Sequence, residues 1–567
     1  MIRSSSRLAL AARVGTVLLL SFAAACADDR AGTDPGRGGA GTAGTSAGGG
    51  AGDAAGTDGG RAGTGGTAGT GGVAGTDGGR GATDGGGGGY GVAGTDAGNG
   101  GDEALGGRAG TSGAAGAGEP PSVDKEDIGN EVFDETAVKS YYLTFSDAEY
   151  AKLMDLSTLL LDRTTVNEDR YVEASLRVGD KELPSIAVRF KGQFSIWGCV
   201  EQASGTRLVR VEPFFGNIDV CQRFSLKLDF NEYDENARLD GLKKLNLHAM
   251  SADPSKMRER LGYSLYRDMG VLAPRAVHAR VYVNGEYHGL FAAVEEVDGR
   301  FTANRFPRSG DGNVYKEIWP ASHVTSDDAE AALRTNDEPS IIDVSDFMAF
   351  KAAVGAATEA DFASTLAPFI DFDYLARLIV VNRAINDFDG LMAFYYGWGP
   401  PPANHNLYWY HDGESGQFQL IPWDLDKSFW YPEPNFWSDN AAHGMNITPN
   451  WNVVSSDCDG YLAWFDNLGQ SYRMMAIDCD PLLRLLRGQI YDSQKATTRA
   501  FLEGPFSEAS VRAKLDAWRA QITDAIADDP LVDAANWEAA VEALLANHPN
   551  FQRNVTLMMD GLIQENE

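Results

Sequence analysis

The sequence predicts an α+β fold, strand-rich in its first half and helix-rich in its second, set behind a long glycine-rich segment. Three observations carry that reading. Up to about residue 300, apolar and polar residues alternate with the period of two that sends successive side chains to opposite faces of a strand. After Tyr315 the apolar spacing lengthens to the three-and-four pattern of helices. Between residues 31 and 118 neither pattern exists: Gly, Ala, Thr, Asp and Ser fill the stretch, which holds 39 of the chain's 66 glycines.

The first residues read as an export signal. Arg3, Arg7 and Arg13 precede an apolar run, 14–22, that closes on Ala23, Ala24 and Ala25 before Cys26. This is the charged, apolar, small-residue order of a secretory signal, 1–26. The run is shorter than the roughly 20 residues a membrane-crossing helix needs, so no transmembrane helix is expected. Cys26 after three small residues resembles a lipobox, whose cysteine is acylated and anchors the protein to a membrane; ordinary cleavage after Ala25 is the alternative. The glycine-rich segment, 27–120, cannot bury enough apolar area to offset the entropy of ordering. It is expected to act as a flexible tether spanning about 50–60 Å. Its glycines follow no strand and open no helix, so they do not read as a phosphate-binding loop.

The other cysteines, Cys199, Cys221, Cys458 and Cys479, fall into two local pairs. In an exported chain this predicts disulfides 199–221 and 458–479, with the two other connectivities open. A net charge of −32 argues against nucleic acid and anionic membrane surfaces as partners, since both reward basic patches.

Pro120 and Pro121 mark the boundary of the folded unit, 130–567. Alternation predicts strands at 141–145, 173–178, 186–191, 224–230 and 244–248. A helix is expected over 255–269, opened by Asp253-Pro254 and closed by Gly270. Strands at 276–283 and 288–295 flank Asn284-Gly285, a strong hairpin signal. Helices follow at 342–354, 359–366 (stopped before Pro368) and 373–386. A second hairpin, 406–411 and 417–422, turns through Asp412-Gly413. The last eighty or so residues read as an amphipathic bundle with clear helices at 507–527 and 537–547.

Carboxylates crowd two short loops, Asp387 with Asp389 and Asp424 with Asp426. Members of each pair are two apart, so in an extended segment they face the same side. Magnesium is held by one or two carboxylates plus phosphate oxygens, and phosphoryl transfer also needs a carboxylate to orient the attacking hydroxyl. Taken singly, each Asp is a turn residue by preference. The whole set, joined to His405-Asn406 at the start of the strand between the loops, points to a site.

These residues carry a resemblance to the CotH family, the spore-coat-protein-H-like extracytoplasmic kinases. Arg189-Phe-Lys-Gly-Gln-Phe-Ser195 resembles its early element and Phe224-Ser-Leu-Lys-Leu-Asp-Phe230 the basic strand that follows. Ser255-Lys-Met-Arg-Glu-Arg-Leu261 is similar to its helix, the hairpin around Asn284-Gly285 with Glu295 to its hairpin, and Asn313-Val-Tyr-Lys316 to its link. Asp387 and Asp389, His405-Asn406 and Pro422-Trp-Asp-Leu-Asp426 match its most diagnostic positions. The chain departs from the pattern at Trp430, where the family commonly has Gly, and in an insertion at 398–402. No G-x-G-x-x-G run is present in the first half of the folded unit to cover the phosphates.

The resemblance implies an atypical protein-kinase-like, two-lobed fold: a first lobe of about 140–316, a second of about 317–480 and a helical extension over 481–567. It implies transfer of the γ-phosphoryl of ATP to Ser or Thr of a secreted or surface protein, with Mg²⁺ or Mn²⁺. Asp387 or Asp389 would be the catalytic acid, with Asp387 preferred. Asn406, Asp424 and Asp426 would bind metal. Lys227 would contact phosphate with Glu259 as its ion-pair partner, Lys191 and Lys316 being competitors for that role. A catalytically degenerate, tethered binding module using Trp398, Trp409, Trp430 and Trp437 is the alternative. A calcium-stabilised structural lipoprotein is a third reading.

Overall fold

The computed structural model describes residues 125–155, 159, 167, 170–192, 196, 200–203, 207–210, 223–335, 342–387, 389–394, 401–429, 458, 461–464, 471–475 and 477–564. The export signal, Cys26, the glycine-rich segment, the Cys199–Cys221 pair, Trp398, Trp430 and Trp437 lie outside them.

Period-two alternation becomes a closed barrel. Its strands are β1 (Lys139–Thr144), β2 (Val172–Val178), β3 (Lys181–Lys191), β4 (Ser225–Asp229), β5 (Lys244–His248), β6 (Ala276–Val283) and β7 (Glu286–Glu295). They follow one another around the barrel except that β5 pairs β7, and β6 closes it by pairing β1 in parallel, Tyr141 against Val281. Val188, Phe190, Leu226, Leu228, Leu245, Leu247 and Phe291 are buried together in one core, each contributing about 1.5–3 kcal/mol when fully withdrawn from water. Their chain neighbours Arg189, Lys191, Lys227, Asn246 and His248 therefore share the opposite face of these strands. The β6–β7 hairpin turns through Asn284 at φ 49° and Gly285 at φ 88°, the left-handed pair that a two-residue turn of this hand requires.

Helix α1 (Arg258–Asp268) follows β5. It starts later than the expected 255 for a local reason. The Asp253 carboxylate accepts from the N–H groups of Ser255 and Arg258, at 2.9 and 2.8 Å, and Lys256 takes φ 59°. A left-handed residue cannot sit inside a right-handed helix without strain.

A second sheet joins β8 (Val314–Lys316), β9 (Leu333–Thr335), β10 (Leu407–Asp412) and β11 (Gln417–Pro422) in the order β9-β8-β10-β11. The segment at 314–316 thus pairs with β10 rather than with the barrel. Helix α2 (Phe372–Ala384), capped by Asp371, buries Leu378, Ile379, Val380 and Val381 against this sheet's core and packs on α3 (Pro481–Glu503). Trp409, offered by its sequence as a recognition aromatic, is instead a core residue: it meets Trp319 at a tilt and Phe350 and Phe418 edge-on, and donates its indole N–H to the Ile318 carbonyl at 3.1 Å.

Helices α4 (Glu508–Ala527) and α5 (Ala534–Gln564) complete the described chain. The last runs past the expected end at 547, through Pro549, which has no N–H to give the preceding turn. The Cys458–Cys479 disulfide is formed, as the cysteine spacing predicts.

Candidate active site

The outer face of β3, β4 and β5 carries polar side chains in rows set by the register. Arg189 lies opposite Lys227, and Lys227 opposite Asn246. One polar step along, Lys191 lies opposite Ser225, with His248 at the end of β5. The Lys227 ammonium pairs with Glu296 at 3.2 Å, and Glu296 also accepts from the Asn246 amide at 2.7 Å. The expected Lys227–Glu259 pair is therefore not the one formed. Glu259 lies in the first turn of α1, which leaves the His248 end of β5, so its carboxylate meets the Lys191 row. The His248 Nδ1 is 2.8 and 2.9 Å from the two Glu259 oxygens, and its Nε2 is 2.9 Å from Lys191 Nζ.

Lys191 also lies over the Trp423 ring, 4.9 Å from its centroid. Burial, helped by the nearby Lys316 charge and opposed by Asp424, lowers the Lys191 pKa. Burial and the Lys191 charge together hold the His248 imidazole down to about 3, a neutral ring. Lys316 itself lies 3.9 Å from the Glu317 carboxylate and 5.9 Å from the Tyr408 ring.

The end of β11 delivers the acids. Asp424 sits at φ 53°, a conformation that Asp tolerates better than most residues. Its N–H donates to the Tyr263 hydroxyl at 3.0 Å. Tyr263 and Glu259 are four apart and so share one face of α1. Leu425 presses against Gly262 of the same helix, where a methyl group would lie 2.8 Å from its Cδ1. Ligand atoms of Asp424, Glu259 and His248 lie within 4.8 Å of one another. Asp426 and Glu259 are both raised well above the usual carboxylate range, by burial first and then by the Asp424 charge.

The other acidic loop follows α2. Asp387 is buried, accepts a 3.3 Å hydrogen bond from Asn382 on α2, and leaves its Oδ1 without a partner. Burial, then the Asp389 charge, pushes it up to about 8. Asp389 is partly open to solvent and bonds His405 Nε2 at 2.9 Å. Burial works against the imidazolium, but Asp389 outweighs it and raises His405 to about 9. The Asn406 amide N–H is used on the Asp389 carbonyl at 2.6 Å, so only its amide oxygen remains to ligate a cation.

Lys191, Lys316, Glu259, Asp387, Asp389, Asn406, Asp424 and Asp426 are thus gathered where barrel, α1 and the second sheet meet, and Lys227 stands one row away. The residues that sequence reasoning passed over are His248, Glu296 and Tyr263; Trp423 was quoted as part of the second acidic motif but given no role. His248 was visible as the third polar residue of Lys244-Leu-Asn-Leu-His248, a strand whose other positions are Leu. Nothing local in the sequence marks Glu296 or Tyr263. The oxygen-rich donor set fits a divalent cation such as Mg²⁺ or Mn²⁺: the carboxylates raise one another, and one buried Asp387 oxygen is unpaired.

The chain is 26% identical over 229 residues to the inner spore coat protein H of Bacillus subtilis, covering 38% of this chain and 59% of that protein. It is 26% identical over 148 residues to invasin CotH7 of Rhizopus delemar, covering 25% and 24%. The chain therefore spans about three-fifths of the first relative's length and about a quarter of the second's. A solved structure, the Helicobacter pylori proinflammatory kinase CtkA, aligns over 56% of this chain and 94% of its own at 10% identity, with a TM-score of 0.18, too low to describe a shared fold. The family model of the CotH kinase protein matches residues 188–560, from β3 to the last helix, and the chain belongs to the CotH family.

Proposed function

We propose that this chain is an exported, kinase-like phosphotransferase that moves the γ-phosphoryl of ATP to a Ser or Thr hydroxyl on a secreted or surface protein. The observation that carries the reading is the meeting of a half-buried lysine, Lys191, with the acidic loop 424–426, which is itself close enough to the acidic loop 387–389 for their charges to act on one another. A divalent cation bound at Asp424 and Asp426, with the Asn406 amide oxygen, would neutralise charge on the phosphates. Lys191 offers an ammonium to a phosphate oxygen, with Lys316 beside it. Trp423 shields the lysine from water on one side. Asp389, solvent-accessible and oriented by His405, is placed to accept the proton of an incoming hydroxyl, whereas Asp387 is buried and protonated near neutral pH. The names of the relatives, a spore coat protein and an invasin, support an extracellular or surface setting, as does the N-terminal sequence; a lipid anchor at Cys26 would hold the enzyme there.

The test uses the full-length protein with Mg²⁺ or Mn²⁺, γ-labelled ATP and envelope proteins of its source. Labelled phosphoserine or phosphothreonine is expected on an envelope protein or on the chain itself. Asp389→Ala should slow transfer by about 10²–10⁴-fold, the usual worth of a positioned general base. Asp424→Ala should abolish it, and full activity in that variant would sink the mechanism.

A further inference from the structure

We propose that His248 is a positioning residue that joins Lys191 to Glu259, so that the carboxylate on α1 orients the lysine through an imidazole instead of pairing with it directly. The inference rests on the phosphoryl-transfer reading, in which Lys191 faces the nucleotide. Nε2 of His248 is 2.9 Å from Lys191 Nζ, and Nδ1 is 2.8 and 2.9 Å from the two Glu259 oxygens. No ion pair joins Lys191 to Glu259 directly among the described residues.

The chemistry fixes the direction of both bonds. An ammonium can only donate, so Nε2 accepts from Lys191; a neutral imidazole that accepts at Nε2 carries its proton on Nδ1 and donates it to a carboxylate. Each end therefore selects the same tautomer. The ring is also held in place mechanically. It is 6% exposed, its backbone is fixed in β5 opposite Ala292 of β7, and the Trp423 ring meets it edge-on at 5.8 Å. Trp423 touches both members of the link, since Lys191 lies over its face. A shift of α1 would reach the lysine through Glu259 and His248, which makes the position of the helix felt at the phosphate-facing amine. The same imidazole could instead ligate a cation with Asp424 and Glu259, but Lys191 would then lose its acceptor; the two arrangements differ in tautomer and are separable.

Two measurements test the link. In full-length protein labelled with ¹⁵N-histidine, the His248 signals, identified by their loss in His248→Gln, are expected to show a protonated Nδ1 and an unprotonated, hydrogen-bonded Nε2. A ring protonated at Nε2, or one whose signal moves on removal of metal by chelation, overturns the proposal. This arm needs no nucleotide.

The second arm measures KM for Mg-ATP and kcat. His248→Leu should raise KM about tenfold, the worth of one charged hydrogen bond, with a smaller change in kcat. His248→Gln carries an acceptor oxygen near the Nε2 position and should recover to within about threefold. His248→Asn reaches only the Glu259 side and should stay weak. An unchanged KM in His248→Leu overturns the proposal, as does recovery by Asn equal to that by Gln; if the Leu variant does not fold, the Gln and Asn pair decides. Failure of the wild type to bind Mg-ATP would count against the phosphoryl-transfer reading alone, and the tautomer would still decide the link.

Discussion

Asp387 and Asp389 are two positions apart and differ in what surrounds them. Asp387 lies inside the protein against Gly390 and Asn382, with its carboxyl raised to about 8 by burial and by Asp389. Its folded pKa thus exceeds the ordinary aspartate value of about 3.9, so the folded state holds the proton that the unfolded state has released. Between about pH 4 and 8 this group makes stability fall as pH rises. His405, raised to about 9, acts in the same sense: the stability it contributes is complete below its unfolded pKa of about 6.5 and is lost as pH passes 9. In metal-free protein, thermal melts should therefore decline from pH 6 to pH 9. Asp387→Asn removes one of the two causes while keeping the shape, so its decline should be shallower and its melting temperature at pH 9 at least equal to that of the wild type. A slope as steep as the wild type's would show that Asp387 is not the titrating group.

At the scale of elements, the loop from Asn386 to Gly390 shows how backbone shape holds a side chain. A Cβ at Gly390 would lie 2.0 Å from one Asp387 oxygen and 2.7 Å from its Cγ. The neighbour is a buried carboxyl with little room to move, so the glycine is required by close approach. Gly390→Ala should cost about 1–3 kcal/mol, as overpacking usually does, and should displace Asp387 enough to stop label transfer. Calorimetry and the transfer assay check both; normal values in each would show that the loop yields. Much of this architecture was readable beforehand. The strands from β2 to β7, the Asn284-Gly285 turn and the two acidic loops each rest on local signals: period two, turn chemistry and carboxylate spacing. Helix α3 was expected only as part of the helical extension over 481–567, without bounds of its own, although Asp480 caps it and Pro481 opens it. The pairing of Glu259 was not readable, because it depends on which strand end α1 leaves and how the helix is rotated. Closure of the barrel by β1 and β6 is likewise a long-range pairing, which no window of sequence reports.

For the molecule as a whole, the helical extension ties the barrel to the helix that carries Glu259. Asp529, just past α4, accepts from the Arg223 guanidinium at 2.9 and 2.6 Å and from the N–H groups of Leu290 and Leu531 at 2.8 and 2.9 Å. Arg223 fits only because residue 289 is glycine, at φ 131°, where a Cβ would lie 2.2 Å from the guanidinium carbon. Farther along, Trp537 donates its indole N–H to the Ser255 carbonyl at 2.9 Å, just ahead of α1, and Trp518 lies 4.4 Å beneath Arg260. Asp529→Asn leaves a buried guanidinium without its counter-charge and should cost about 3–5 kcal/mol, the usual result of removing one partner of a buried pair. The double variant Arg223→Met, Asp529→Leu removes both charges and should cost far less than the sum of the single changes. Urea midpoints decide between these outcomes, and additive losses would mean that the pair is not the source. Because the same extension braces the start of α1, Asp529→Asn should also raise the KM for Mg-ATP under conditions where the protein is still folded. A fall in stability with KM unchanged would make the extension a scaffold for the barrel alone, without influence on Glu259, His248 and Lys191.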